Sequence, residues 1–116
     1  MAPKSSPDDA ARAMFVHGYY AANAYSDNEF GRILTALDAS PYANNTIIVL
    51  MSDHGMHLGD HQLFGKWSVY EQATRTPLII AGAAVDKSLW NTRIHTPVEL
   101  LDLYPTCVVV FLLMGA

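Results

Sequence analysis

The chain has 116 residues, seven Lys and Arg against eleven Asp and Glu, and a formal net charge of −4. It carries no basic stripe that could neutralise phosphates, which argues against a nucleic-acid partner. Its single cysteine, Cys107, excludes a disulfide framework and a multi-cysteine zinc module. Half of the residues are hydrophobic and only 16% are charged, a low share for a small free-standing domain. Some of the apolar faces are therefore expected to need a partner.

The opening residues lack the apolar core of a signal peptide. Ser6 is placed to cap a long helix, with Pro7 at its first position and Asp8 and Asp9 at the positive end of its dipole. Phe15, Tyr19, Ala22, Phe30, Ile33 and Leu37 then recur in steps of three and four, an amphipathic stripe. Gly18 and Gly31 weaken such a helix and are expected to mark close packing. Pro41, among Ser40, Asn44 and Asn45, ends it. Thr46–Ser52 is an almost unbroken, β-branched apolar run, which predicts a strand buried on both faces, as in a parallel sheet.

A glycine-punctuated loop follows to Gly65. Ser68-Val-Tyr-Glu71 has capping-box spacing, so a short helix is predicted to run to about Thr76. Residues 78–82 read as a second strand and 83–95 as a surface loop. Thr96-Pro-Val-Glu99 repeats the helix-start signal, with Pro97 at the first helical position. The final apolar run, from Cys107, is shorter than the about 20 residues needed to cross a bilayer and reads as a buried helix or strand. Alternating helices and strands predict an α/β architecture.

The chemistry concentrates in Ser52-Asp-His-Gly-Met-His-Leu-Gly-Asp-His-Gln-Leu-Phe-Gly-Lys66. Asp53 and His54 stand where the apolar strand runs out, the place where open α/β sheets bind ligands. A carboxylate and an imidazole there can hold a divalent metal if Gly55 lets the chain turn sharply. The same residues also suit a polar loop with a capping aspartate and solvated histidines. His57 and His61 have a zinc-ligand spacing for a helix, but Gly59 between them favours supporting roles. Lys66 can bind an anion as a point charge or lie on the surface.

These residues resemble the formylglycine-dependent sulfatases of the alkaline phosphatase superfamily. The resemblance rests on Asn45-Thr-Ile-Ile-Val-Leu-Met-Ser-Asp-His-Gly, Leu-Gly-Asp-His61, Phe-Gly-Lys66, Tyr-Glu71 and Ala73-Thr-Arg-Thr-Pro-Leu-Ile-Ile. Tyr19-Tyr-Ala-Ala, Asp27 and Gly31-Arg-Ile-Leu precede these motifs, and Glu99-Leu-Leu-Asp-Leu-Tyr-Pro-Thr106 follows them, so the likeness covers about residues 13–106. It implies a partial alkaline-phosphatase-like sheet with flanking helices, residues 1–116 being a fragment of a catalytic domain. It further implies that Asp53 and His54 are metal ligands, usually for calcium, and that Lys66 contacts the sulfate of a sulfate ester. His57, His61 and Arg75 match family positions and are given support or substrate-side roles.

Calcium prefers oxygen, whereas imidazole suits manganese or zinc. Related phosphonate and phosphodiester hydrolases share much of this loop, so that chemistry is the alternative. The family's nucleophile lies in a Cys- or Ser-x-Pro-x-Arg motif, which is absent here. The family's paired N-terminal aspartates and upstream catalytic histidine have no match either; His17 falls at a family position that is not catalytic. Half of an active site is therefore expected, inactive alone, from a sequence truncated or frameshifted at both ends, with the N-terminal part of the domain as its missing partner. A non-catalytic binding module on the same fold is the third alternative. Members of the family are usually exported or lysosomal, but nothing in the sequence fixes a compartment.

Overall fold

The structure, a computed structural model, describes residues 8–83 and 85–114. Helix α1 spans Asp9–Asp38. Asp8 is its N-cap, its carboxylate accepting from the Ala11 amide at 2.7 Å. The cap thus falls on Asp8 and not on Ser6, which lies with Pro7 outside the described residues; an aspartate makes this bond as well as a serine. The helix ends just before Ser40 and Pro41, as predicted.

The predicted stripe of α1 is largely uncovered, and no α1 residue is buried. Its contact is local: the Phe15 ring meets Phe64 edge-on at 5.2 Å between centroids, and the Arg12 guanidinium lies 5.9 Å from the same ring. Gly18 and Gly31 do not mark close packing, because a Cβ at either would meet nothing within 4 Å. Gly31→Ala is therefore expected to stabilise α1 by up to about 1 kcal/mol, read as a gain in helical circular dichroism and thermal midpoint.

Strand β1 spans Ile47–Met51. Two short strands follow, β2 (His57–Leu58) and β3 (Phe64–Gly65), then helix α2 (Glu71–Thr74), strand β4 (Leu78–Gly82) and helix α3 (Leu103–Met114). Helices and strands both form, as an α/β composition requires, and the described strands fall into two two-stranded sheets.

The parallel arrangement predicted for β1 is replaced by antiparallel pairing with β4, in register from Ile47 opposite Gly82 to Met51 opposite Leu78. The reason is the connection. A parallel pair needs a crossover that returns to the strand's starting end, whereas the chain leaves β1 at Ser52 and comes back beside it. The Ser52 amide donates to the Pro77 carbonyl at 3.3 Å. Nor is β1 buried on both faces: its first three residues are half-buried, and Leu50 and Met51 are exposed. Ile47 and Val49 share the face that meets α3 across an apolar groove also lined by Cys107 and Phe111.

The capping box is not formed. Tyr70 is the N-cap of α2 without a side-chain bond, and Ser68 is used elsewhere. Helix α2 stops at Thr74, short of the predicted Thr76, because Pro77 pushes the preceding residues out of helical geometry. Of the predicted 83–95 surface loop, residues 85–95 are a surface segment with a short turn, Lys87–Leu89. Asp86 caps it by accepting from the Ser88 hydroxyl and amide, and those bonds hold its carboxyl below the usual carboxylate range.

The last helix starts later than Thr96. Glu99 is extended, a 3-10 turn spans Leu100–Asp102, and α3 begins at Leu103. Pro105 explains the delay: in the first turn its missing N–H costs nothing, but in the interior of a helix begun at Thr96 it would break the ladder. The final apolar run is helical yet not buried, with Phe111 and Leu113 about three-quarters exposed. Among the described residues no helix is long and apolar enough to cross a membrane.

The shape follows from this sparse packing. The radius of gyration is 18.5 Å, against about 13 Å for a compact domain of this length. Among the described residues only Ala73 and His57 are buried, and both lie within the β1–β4 excursion that carries the chemistry.

Candidate functional site

The site is the excursion between β1 and β4. At its start the backbone turns through Ser52-Asp-His-Gly and is braced from three directions. The Ser52 hydroxyl donates to the His54 carbonyl at 2.8 Å. His54 Nδ1 bonds the Gly55 carbonyl at 2.8 Å, and the Gly55 amide donates to the Ala73 carbonyl at 2.7 Å. Glycine is required at 55 for space rather than for its torsion: a Cβ would overlap the Gln72 carbonyl oxygen. The turn therefore seats directly on the backbone of α2.

Opposite a carbonyl, Nδ1 of His54 is the donor, and in the neutral imidazole that tautomer has its lone pair on Nε2. That is the usual arrangement of a metal-ligating imidazole, whose other nitrogen donates to a fixed acceptor. Asp53 is exposed, with the Lys66 ammonium 3.9 Å from its Oδ2. Both side chains are more than half exposed, so this ion pair contributes at most about 1 kcal/mol. Among the described residues no three His, Cys, Asp or Glu side chains converge as a metal would need. Asp53 and His54 offer one oxygen donor group and one nitrogen, and calcium takes about six to eight oxygens. The pair fits part of a ligand set and does not complete one.

Lys66 follows β3, which pairs antiparallel with β2 so that His57 faces Gly65. The hairpin closes through Gly59 and a tight turn in which His61 and Gln62 adopt left-handed backbone, φ 54° and 59°. Gly59 itself has φ 120°, a torsion that favours glycine, while a Cβ there would only touch the Phe64 ring at ordinary contact distance. His57 and His61 thus lie on a hairpin and its turn, not on one helix, and a zinc pair at helical spacing is not formed. The His61 ring stacks on Tyr70 at 4.6 Å between centroids. His57 is buried, 1% exposed, with Nε2 2.5 Å from the Ser68 hydroxyl oxygen. Arg75 is engaged with Glu71 at 3.0 Å across one turn of α2.

Three residues of this arrangement escaped sequence reasoning: Ser52, Ser68 and Tyr70. Ser68 carried a signal that pointed elsewhere, because its spacing to Glu71 matches a capping box. Its partner in space is His57, eleven positions earlier.

A protein-family model described as Sulfatase matches residues 2–111. The chain belongs to the sulfatase family. A sulfatase of Formosa agariphila is 47% identical over 91 residues, covering 78% of this chain and 17% of that protein. Arylsulfatase K of Xenopus laevis is 39% identical over 88 residues, 76% of this chain and 16% of that protein. Iduronate 2-sulfatase of Homo sapiens is 48% identical over 61 residues, 53% of this chain and 11% of that protein. This sulfatase chain thus spans about a sixth of the length of the first two relatives. No solved structure matches it.

Proposed function

We propose that residues 53–66 form one side of a sulfate-ester-hydrolysing centre. Asp53 and His54 are two ligands of a divalent metal, and Lys66 meets the sulfate group. The observation that carries this reading is the loop's convergence: a lysine thirteen positions later in the chain returns to within 3.9 Å of Asp53 Oδ2, beside an imidazole whose Nε2 is left with its lone pair. A metal held there, calcium in this reading, supplies Lewis acidity and a template for the ester. Lys66 supplies a fixed positive charge for the sulfate oxygens, and His57, His61 and Arg75 shape the wall around it. The nucleophile, a formylglycine in this family, and the remaining metal ligands come from parts of the domain not represented in these 116 residues. In the whole enzyme β1 and β4 belong to an alkaline-phosphatase-like sheet. A second reading, phosphonate or phosphodiester hydrolysis with manganese or zinc, draws on one feature, the imidazole in the ligand pair.

The test is a transplant. The purified chain alone is expected to give no turnover of an aryl sulfate. A chimera in which these residues replace the matching 91 of the Formosa agariphila sulfatase is expected to hydrolyse it with a divalent metal present. Turnover by the chain alone that is lost in Asp53→Ala would overturn the half-site reading. A chimera faster on a phosphodiester than on the sulfate would favour the second one.

A further inference from the structure

His57 is an anomaly in this chain. Apart from Ala73 it is the one fully buried residue described, and it is a polar one. Its Nε2 lies 2.5 Å from Ser68 Oγ, while its Nδ1 is buried without a hydrogen-bond partner. A buried unpaired N–H is rarer and costlier than an unpaired acceptor. That assigns the proton to Nε2, which donates to Ser68. The same hydroxyl oxygen accepts from the Tyr70 amide at 3.2 Å, and the Ser68 amide donates to the Lys66 carbonyl at 3.0 Å.

Ser68 is therefore a node that fixes the backbone on both sides of it, Lys66 before and Tyr70 after, and His57 is what holds the node. The Tyr70 ring lies perpendicular to His57 at 6.0 Å between centroids, and His61 stacks on Tyr70 at 4.6 Å. His57 sits three residues after His54 on the chain segment that carries Asp53. One hydrogen bond thus ties the segment bearing the proposed metal ligands to the segment bearing the proposed sulfate contact.

We propose that His57 is a positioning residue: its buried Nε2–H to Ser68 sets where the Lys66 ammonium stands relative to Asp53. The proposal rests on the reading of Lys66 as a sulfate contact for its meaning, but not for its geometry. A two-stranded hairpin with two-residue strands is too short to hold that separation by its own ladder, and the exposed ion pair is too weak to do so. The His57–Ser68 bond, made by a buried imidazole, is the side-chain tether that adds to the Gly55–Ala73 backbone bond.

The test is zero-length carbodiimide cross-linking of the full chain in dilute solution, with the Asp53–Lys66 amide quantified by mass spectrometry. Relative to the unmodified sequence, His57→Phe and Ser68→Ala are each expected to lower that cross-link about fivefold, the loss of one buried hydrogen bond. The double variant is expected to fall no further than either single one, since both remove the same bond. His57→Gln and Ser68→Thr keep a donor and an acceptor and are expected to retain most of the yield. Circular dichroism of α1, distant in sequence, reports whether a variant has lost its fold generally. An unchanged cross-link in Ser68→Ala, additive losses in the double variant, or equal losses in the conservative variants would each overturn the proposal. Repeating the reaction on the chimera, which carries the rest of the centre, with inorganic sulfate present separates the two ideas. If the variant pattern holds but sulfate does not lower the Lys66 cross-link, the sulfate reading fails and the positioning role stands.

Discussion

Lys66→Ala in the chimera is expected to lower kcat for an aryl sulfate by on the order of 10²–10³, the cost of removing one charge-stabilising group from a reaction centre. As the ester S–O bond breaks, its electron pair passes to the leaving oxygen, so a fixed ammonium beside the sulfate is worth more in the transition state than with bound substrate. An interaction of that kind lowers kcat and kcat/KM together, with KM little changed. Lys66→Arg is expected to recover only part of the loss, because a planar fork does not reproduce a compact point charge. Steady-state kinetics on the three proteins is the check. A rise in KM at constant kcat would mean that Lys66 binds substrate without easing the reaction. No change in either would return Lys66 to the surface.

Gly55→Ala has the second large effect, and it is structural. The added methyl overlaps the Gln72 carbonyl oxygen and crowds the Ala73 backbone. These are main-chain atoms of α2 and cannot swing aside. A cost of about 3 kcal/mol is expected, felt where the Gly55 amide donates to Ala73 at 2.7 Å. Hydrogen exchange at the Ser52 and Ala73 amides is expected to speed up by roughly a hundredfold if opening is local. Gly31→Ala, which meets nothing, serves as the contrast. Equal behaviour of the two variants would show that the turn is not seated on α2 as described.

Much of this was legible in the residues. The stripe and its breaker at Pro41 give α1 almost to its ends, and the β-branched runs give β1 and β4. What failed was what depends on partners in space. The parallel, doubly buried reading of β1 assumed neighbours on both faces, whereas here the chain returns through Ser52 and Pro77 to pair antiparallel. Gly18 and Gly31 looked like packing marks because a glycine's reason is invisible without its surroundings, and Gly55 shows the converse: its need is set by a carbonyl seventeen positions away. The Ser68–Glu71 spacing matched a local rule while the hydroxyl was engaged with a histidine in strand β2. Pro105 could have corrected the start of the last helix from sequence alone, since it tolerates only the first turn. For the site, the order of Asp53, His54 and Lys66 was readable as a motif, but the brace of His57 on Ser68 needs the hairpin to bring them together.

The Ser52–Pro77 contact has a consequence for how such a centre changes over time. The chemistry-bearing excursion leaves and rejoins the framework at one point, its two ends joined by a backbone hydrogen bond. A segment whose ends already touch can lengthen, shorten or be swapped without moving the strands that launch it. Variation in the reach and lining of this loop is then cheap for the framework, and the β1–β4 pair acts as a standard socket into which differently shaped cassettes can be fitted.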